Sequence, residues 1–121
     1  MKKFLVIAFV SMVALNVSAQ KKEVKTVLLQ QTEGEFVQKT VKLSEGTYVF
    51  EIENKDVDRE VGFVLAPKGK TDPAHHIKAA YVTSPVKTNS TSKTNEVTLT
   101  KGEYVYFCPL NPTPEYTLVV E

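Results

Sequence analysis

Leu99-Thr100-Lys101-Gly102-Glu103-Tyr104-Val105-Tyr106-Phe107-Cys108-Pro109-Leu110-Asn111-Pro112-Thr113-Pro114-Glu115-Tyr116 is the stretch on which the fold turns. A turn around Gly102 leads into residues 103–108, where Tyr104, Tyr106 and Cys108 share one face by period-two alternation. Cys108 is the single cysteine of the 121-residue chain. Three prolines, Pro109, Pro112 and Pro114, then stiffen a loop. A last strand over residues 116–120 closes the domain.

Upstream, residues 43–50 repeat the same corner. Leu43-Ser44-Glu45-Gly46-Thr47-Tyr48-Val49-Phe50 and Leu99-Thr100-Lys101-Gly102-Glu103-Tyr104-Val105-Tyr106 both read Leu-x-x-Gly-x-Tyr-x-aromatic. Glycine permits the tight turn, and the tyrosine two residues later sends its ring inward. Its hydroxyl can then bond back to the backbone of the corner. The spacing between the two copies fits no solenoid period, so they read as two corners of one sandwich.

Elsewhere apolar residues recur at period two in short runs broken by Gly, Pro, Asn and Asp, which is the strand signature. Strands are expected over residues 24–30, 36–43, 48–53, 60–65, 96–100, 103–108 and 116–120. Tyr48, Phe50 and Ile52 should face a core. Residues 77–82 read as an edge strand or irregular segment, and the Ser/Thr/Lys-rich residues 83–95 as an exposed connection. The fold expected is all-β, a Greek-key β-sandwich of seven to eight strands.

The chain opens Met1-Lys2-Lys3, runs apolar from Phe4 to Leu15, and reaches Val17-Ser18-Ala19 before Gln20. A basic start, an apolar run too short for a bilayer and small residues at the cut are the marks of a cleaved secretory signal peptide. Residues 1–19 are read as that leader and 20–121 as one domain, periplasmic or secreted, with no membrane insertion after cleavage. Losing Lys2 and Lys3 leaves 13 basic against 14 acidic residues, a charge near −1. That balance excludes an electrostatic case for nucleic acid. One cysteine allows no internal disulfide, so packing must hold the domain together.

Four features together resemble the cupredoxin family, plastocyanin/amicyanin-like, over nearly all of residues 20–121. They are the residues 43–50 corner, the loop Asn54-Lys55-Asp56, the residues 99–104 corner, and Tyr104-x-Tyr106-x-Cys108 leading into Pro109. The resemblance implies a blue-copper site of two His, one Cys and a weak axial Met. It places Arg59 or Glu60 where the first His would stand, Asn111 at the second His and Pro114 at the Met. Arginine offers no lone pair, proline has no side-chain donor atom, and an amide suits copper poorly. The expectation is a cupredoxin-like module with a degenerate type 1 copper site and no resident cofactor.

Copper remains a candidate ion, and it would have to be held by Cys108 with His75 or His76. Neighbouring side chains on an extended chain point opposite ways, which makes a shared ion awkward for the two histidines. Cys108 reads either as a small buried hydrophobe or as a reactive thiol favoured by a nearby Arg59. The acidic run Glu51, Glu53, Asp56, Asp58 and Glu60 reads as a solvated edge. Asn89-Ser90-Thr91 matches a glycosylation acceptor. No catalytic motif is present, so the chain is read as a non-enzyme. Phe107, Leu110 and Pro112 offer an apolar surface for a protein partner in the cell envelope. The alternative is a copper-binding or electron-transfer protein that uses Cys108 with non-standard ligands.

Overall fold

A computed structural model gives the structure of the protein and describes residues 23–121. The leader expected over residues 1–19 lies outside the described residues. Among those described, no helix is long and apolar enough to cross a membrane.

Among the described residues nine strands form two sheets: β1 (Val24–Thr32), β2 (Glu35–Phe36), β3 (Thr40–Leu43), β4 (Gly46–Asn54), β5 (Val64–Pro67), β6 (Thr91–Lys93), β7 (Val97–Leu99), β8 (Gly102–Phe107) and β9 (Tyr116–Val120). The first sheet runs β2-β1-β4, with β6 and β7 both paired to β4; the second runs β3-β9-β8-β5. β1 lies parallel to β4 and β3 parallel to β9, and the remaining pairs are antiparallel. This is the expected all-β sandwich.

Alternation along each strand supplies the core, because successive side chains point to opposite faces. Leu29, Tyr48, Phe50, Ile52, Val97 and Leu99 from the first sheet meet Leu65, Tyr106, Leu118 and Val120 from the second, all essentially buried. Phe36 stands edge-on to Phe63, Tyr106 and Tyr116, with centroids 6.2, 5.0 and 5.7 Å away. Tyr106 donates its hydroxyl to the Gln38 carbonyl. Burial, aided by the neighbouring Tyr116, pushes its phenol up to about 12.

Both tyrosine corners close as their sequence predicts. Tyr48 Oη donates to the Ser44 carbonyl at 2.7 Å, and Tyr104 Oη to the Thr100 carbonyl at 2.8 Å. Tyr48→Phe is expected to lower unfolding stability by about 1 kcal/mol, the net worth of one such bond. Urea denaturation checks it, and an unchanged midpoint would remove the corner bond from the stability argument.

Two expected strands, residues 36–43 and 60–65, and the connection over residues 83–95 are built differently. Residues 36–43 were expected as one strand, but Phe36 pairs in the first sheet and Thr40–Leu43 in the second. The chain changes layers through residues 37–39, where Gln38 and Gln30 exchange hydrogen bonds. Residues 60–65 shorten to an isolated Val61–Val86 bridge followed by β5. Residues 78–80 form a single turn of 3-10 helix inside the irregular segment at residues 77–82, whereas the connection over residues 83–95 contains β6. In that last case Lys93 lies opposite Glu51 on β4, 3.6 Å from its carboxylate, and the short strand stays exposed.

Candidate functional site around Cys108

Cys108 directly follows β8 and, by the alternation that buries Tyr106, points inward with 1% of its surface exposed. Its Sγ accepts two backbone N–H groups, from Gly62 at 3.2 Å and Asn111 at 3.3 Å. The interruption before β5 therefore has a local reason: Gly62 turns its N–H to the sulfur instead of to a neighbouring strand. The loop closes on itself as well. Thr113 Oγ1 accepts the Cys108 N–H at 3.0 Å, and the Thr113 N–H returns to the Cys108 carbonyl at 3.2 Å.

Asn111 is fully buried, and both polar atoms of its amide are bonded. Nδ2 donates to Gln31 Oε1 at 3.1 Å and to the Thr32 carbonyl at 2.9 Å, while Oδ1 accepts the Gly34 N–H at 2.8 Å. Gly34 has φ +74°, the left-handed turn that glycine permits between β1 and β2. Gln31, also buried, donates Nε2 to the Gly62 carbonyl at 2.7 Å. Sulfur, Gly62, Gln31 and Asn111 thus form a closed ring of hydrogen bonds. Gln31 did not stand out in the sequence. Its one sign was a polar residue on the face of β1 that carries Leu29.

The other expected residues lie apart from this ring. Arg59 is exposed and pairs with Glu33 at 3.2 Å, while its carbonyl accepts from Asn54. The groups against the sulfur are backbone N–H donors. Glu60 and Pro114 are exposed, and the Pro114 carbonyl accepts the Thr113 hydroxyl. His75 bonds through Nδ1 to the Asp72 carboxylate at 2.8 Å, which holds that carboxyl below its usual range. His76 has both ring nitrogens occupied. Nε2 donates to the Thr71 carbonyl at 2.9 Å, and Nδ1 is hydrogen-bonded to the Tyr81 hydroxyl at 2.8 Å. Its ring stands edge-on to Phe107, 6.0 Å away.

Cys108, His75 and His76 are not brought together. Among the described residues no group of three or more His, Cys, Asp or Glu could hold a metal ion. Leu110, 51% exposed, leans over Gly62 between exposed Pro109 and Pro112, whereas Phe107 is half-buried under His76. The acidic run is likewise divided. Glu51 faces Lys93, and Glu53 accepts from Gln30.

Neither a family model nor a curated protein sequence matches the chain. Solved structures do. Auracyanin A, a blue copper protein from Chloroflexus aurantiacus, superposes with TM-score 0.64 at 18% identity, covering 82% of this chain and 100% of its own. Auracyanin from Roseiflexus castenholzii gives 0.62 at 14% identity, covering 79% and 96%. The fold is cupredoxin-like. A copper-containing nitrite reductase from Thermus scotoductus, at TM-score 0.51 and 14% identity, is covered over only 28% of its length by 82% of this chain. At such identities the likeness carries the cupredoxin fold alone, and function has to be argued from the site.

Proposed function

We propose that this chain is a periplasmic or secreted cupredoxin-fold module that acts by binding a protein partner in the cell envelope, without catalysis and without a blue-copper centre. The observation that carries this reading is the engagement of Asn111. At the position which the resemblance to the cupredoxins gives to a second histidine, a buried amide has both of its polar atoms bonded inside the chain. The residues do not fit a type 1 copper set. Pro114 brings no side-chain donor atom, the Arg59 guanidinium is paired with Glu33, and both ring nitrogens of His76 are taken. The exposed Pro109, Leu110 and Pro112 beside the buried ring provide a stiff apolar surface for the partner. The basic, then apolar leader supports export.

Titration of purified protein with Cu(I) and Cu(II), wild type against Cys108→Ala, tests the reading. Neither ion is expected to bind stoichiometrically, and no intense blue absorption should develop. Cys108-dependent uptake of one copper per chain would reject it in favour of a copper protein with non-standard ligands.

A further inference from the structure

Among the described residues the first sheet has an open edge. Lys25, Val27, Leu29 and Gln31 turn their backbone groups toward β4, as the Lys55 N–H bonded to the Gln31 carbonyl shows at the end of the ladder. Gln30 and Thr32 turn theirs the other way, toward β2; the Val37 N–H reaches the Gln30 carbonyl at 2.8 Å. By the same alternation Val24, Thr26 and Leu28 aim both N–H and C=O outward from the sheet. β2 ends too early to meet them, so among the described residues these groups have no backbone partner. Their side chains share the outer face, with Val24 39% and Leu28 47% exposed.

Natural edges are usually blunted by proline, a bulge or an inward charge. Residues 24–29 carry no proline or glycine, their pairing with β4 runs without a bulge, and their one charge, Lys25, is exposed and falls by alternation on the opposite face from Val24, Thr26 and Leu28.

We propose that this edge pairs with the same edge of a second copy of the chain, antiparallel about a two-fold axis through Thr26. Its sequence is self-complementary in that register. Thr26 faces Thr26 of the partner, and Val24 faces the partner's Leu28 in both halves. All three outward-facing residues then exchange both backbone bonds, which gives six across the pair. Each exposed Val24 covers an exposed Leu28, an apolar cross-strand pair of the stabilising kind. Moving the axis one residue to Val27 would set Val24 against Gln30, whose outward groups already belong to Val37 and Gln38. The chain's near-zero net charge opposes association little. The pairing makes one continuous sheet across two domains, a closed dimer with a self-matched interface.

Two measurements on the purified protein test this. Sedimentation equilibrium from roughly 10 µM to 1 mM spans the affinity expected of a small interface. A dimer is expected, weakened at least about tenfold by Thr26→Pro, which deletes bonds at the axis but no bond within one chain. Leu28→Lys, at a half-exposed site that leaves the fold intact, should weaken it similarly. Amide exchange by NMR gives the register. Lys25, Val27 and Leu29 amides should be protected at every concentration, and those of Thr26 and Leu28 only as dimer forms. A monomer throughout the range overturns the proposal. So does a dimer indifferent to both substitutions, or one in which the Thr26 and Leu28 amides stay unprotected.

Discussion

Phe36→Ala is expected to remove about 4 kcal/mol of unfolding stability, the middle of the range for deleting a buried aromatic ring. Phe36 is 0% exposed and stands edge-on to three rings drawn from three other segments of the chain. Those contacts join β2 in the first sheet to β8 and β9 in the second, so the cavity left behind would lie between the layers. Phe63 and Tyr106 are themselves buried and packed, which limits how far the site can collapse onto the gap. In a domain of this size the melting temperature should fall by about 20 °C. Urea denaturation should show the midpoint dropping with the slope preserved. A loss below about 1.5 kcal/mol would mean that the ring cluster relaxes to fill the space, and that Phe36 does not bind the two sheets together.

Phe36 also marks where sequence reasoning stopped. The corners were legible because a glycine and an aromatic hydroxyl act within a few residues of each other, and both bonds form as the local pattern requires. The burial of Cys108 was legible from alternation with Tyr106 for the same reason. The break after Phe36 was not. Residues 36–43 alternate like one strand, and what divides them is the need of Phe36 for one layer and of Val41 and Leu43 for the other. That requirement exists only once both sheets are assembled. The absence of a histidine at residue 111 could likewise be read from the resemblance to the cupredoxin loop. The work the replacement does could not, because its partners Gln31, Thr32 and Gly34 lie 77 to 80 residues away in the chain.

Asn111→Ala should cost about 3 kcal/mol, because the losses in a buried site extend beyond the bonds themselves. Three hydrogen bonds disappear, and the Gln31 Oε1, the Thr32 carbonyl and the Gly34 N–H lose a partner that is fully enclosed. Asn111→Asp keeps the shape but sets an acceptor oxygen in place of Nδ2 against Gln31 Oε1 and the Thr32 carbonyl, so it should be at least as damaging despite its nearly equal volume. The thiol provides a second readout that general loss of stability alone would not single out. In the wild type a thiol reagent reaches Cys108 only after the ring around the sulfur opens, since the Gly62 and Asn111 N–H groups and the folded loop enclose it. Releasing the amide clamp lowers the cost of that local opening, and Asn111→Ala should label roughly a hundredfold faster under native conditions. Phe36→Ala, whose ring lies in the cluster between the sheets, serves as the control. If both variants label at rates that follow their global stabilities, the ring opens only with the whole domain. A faster rate confined to Asn111→Ala identifies the loop as a unit that opens by itself, with this one amide as its latch.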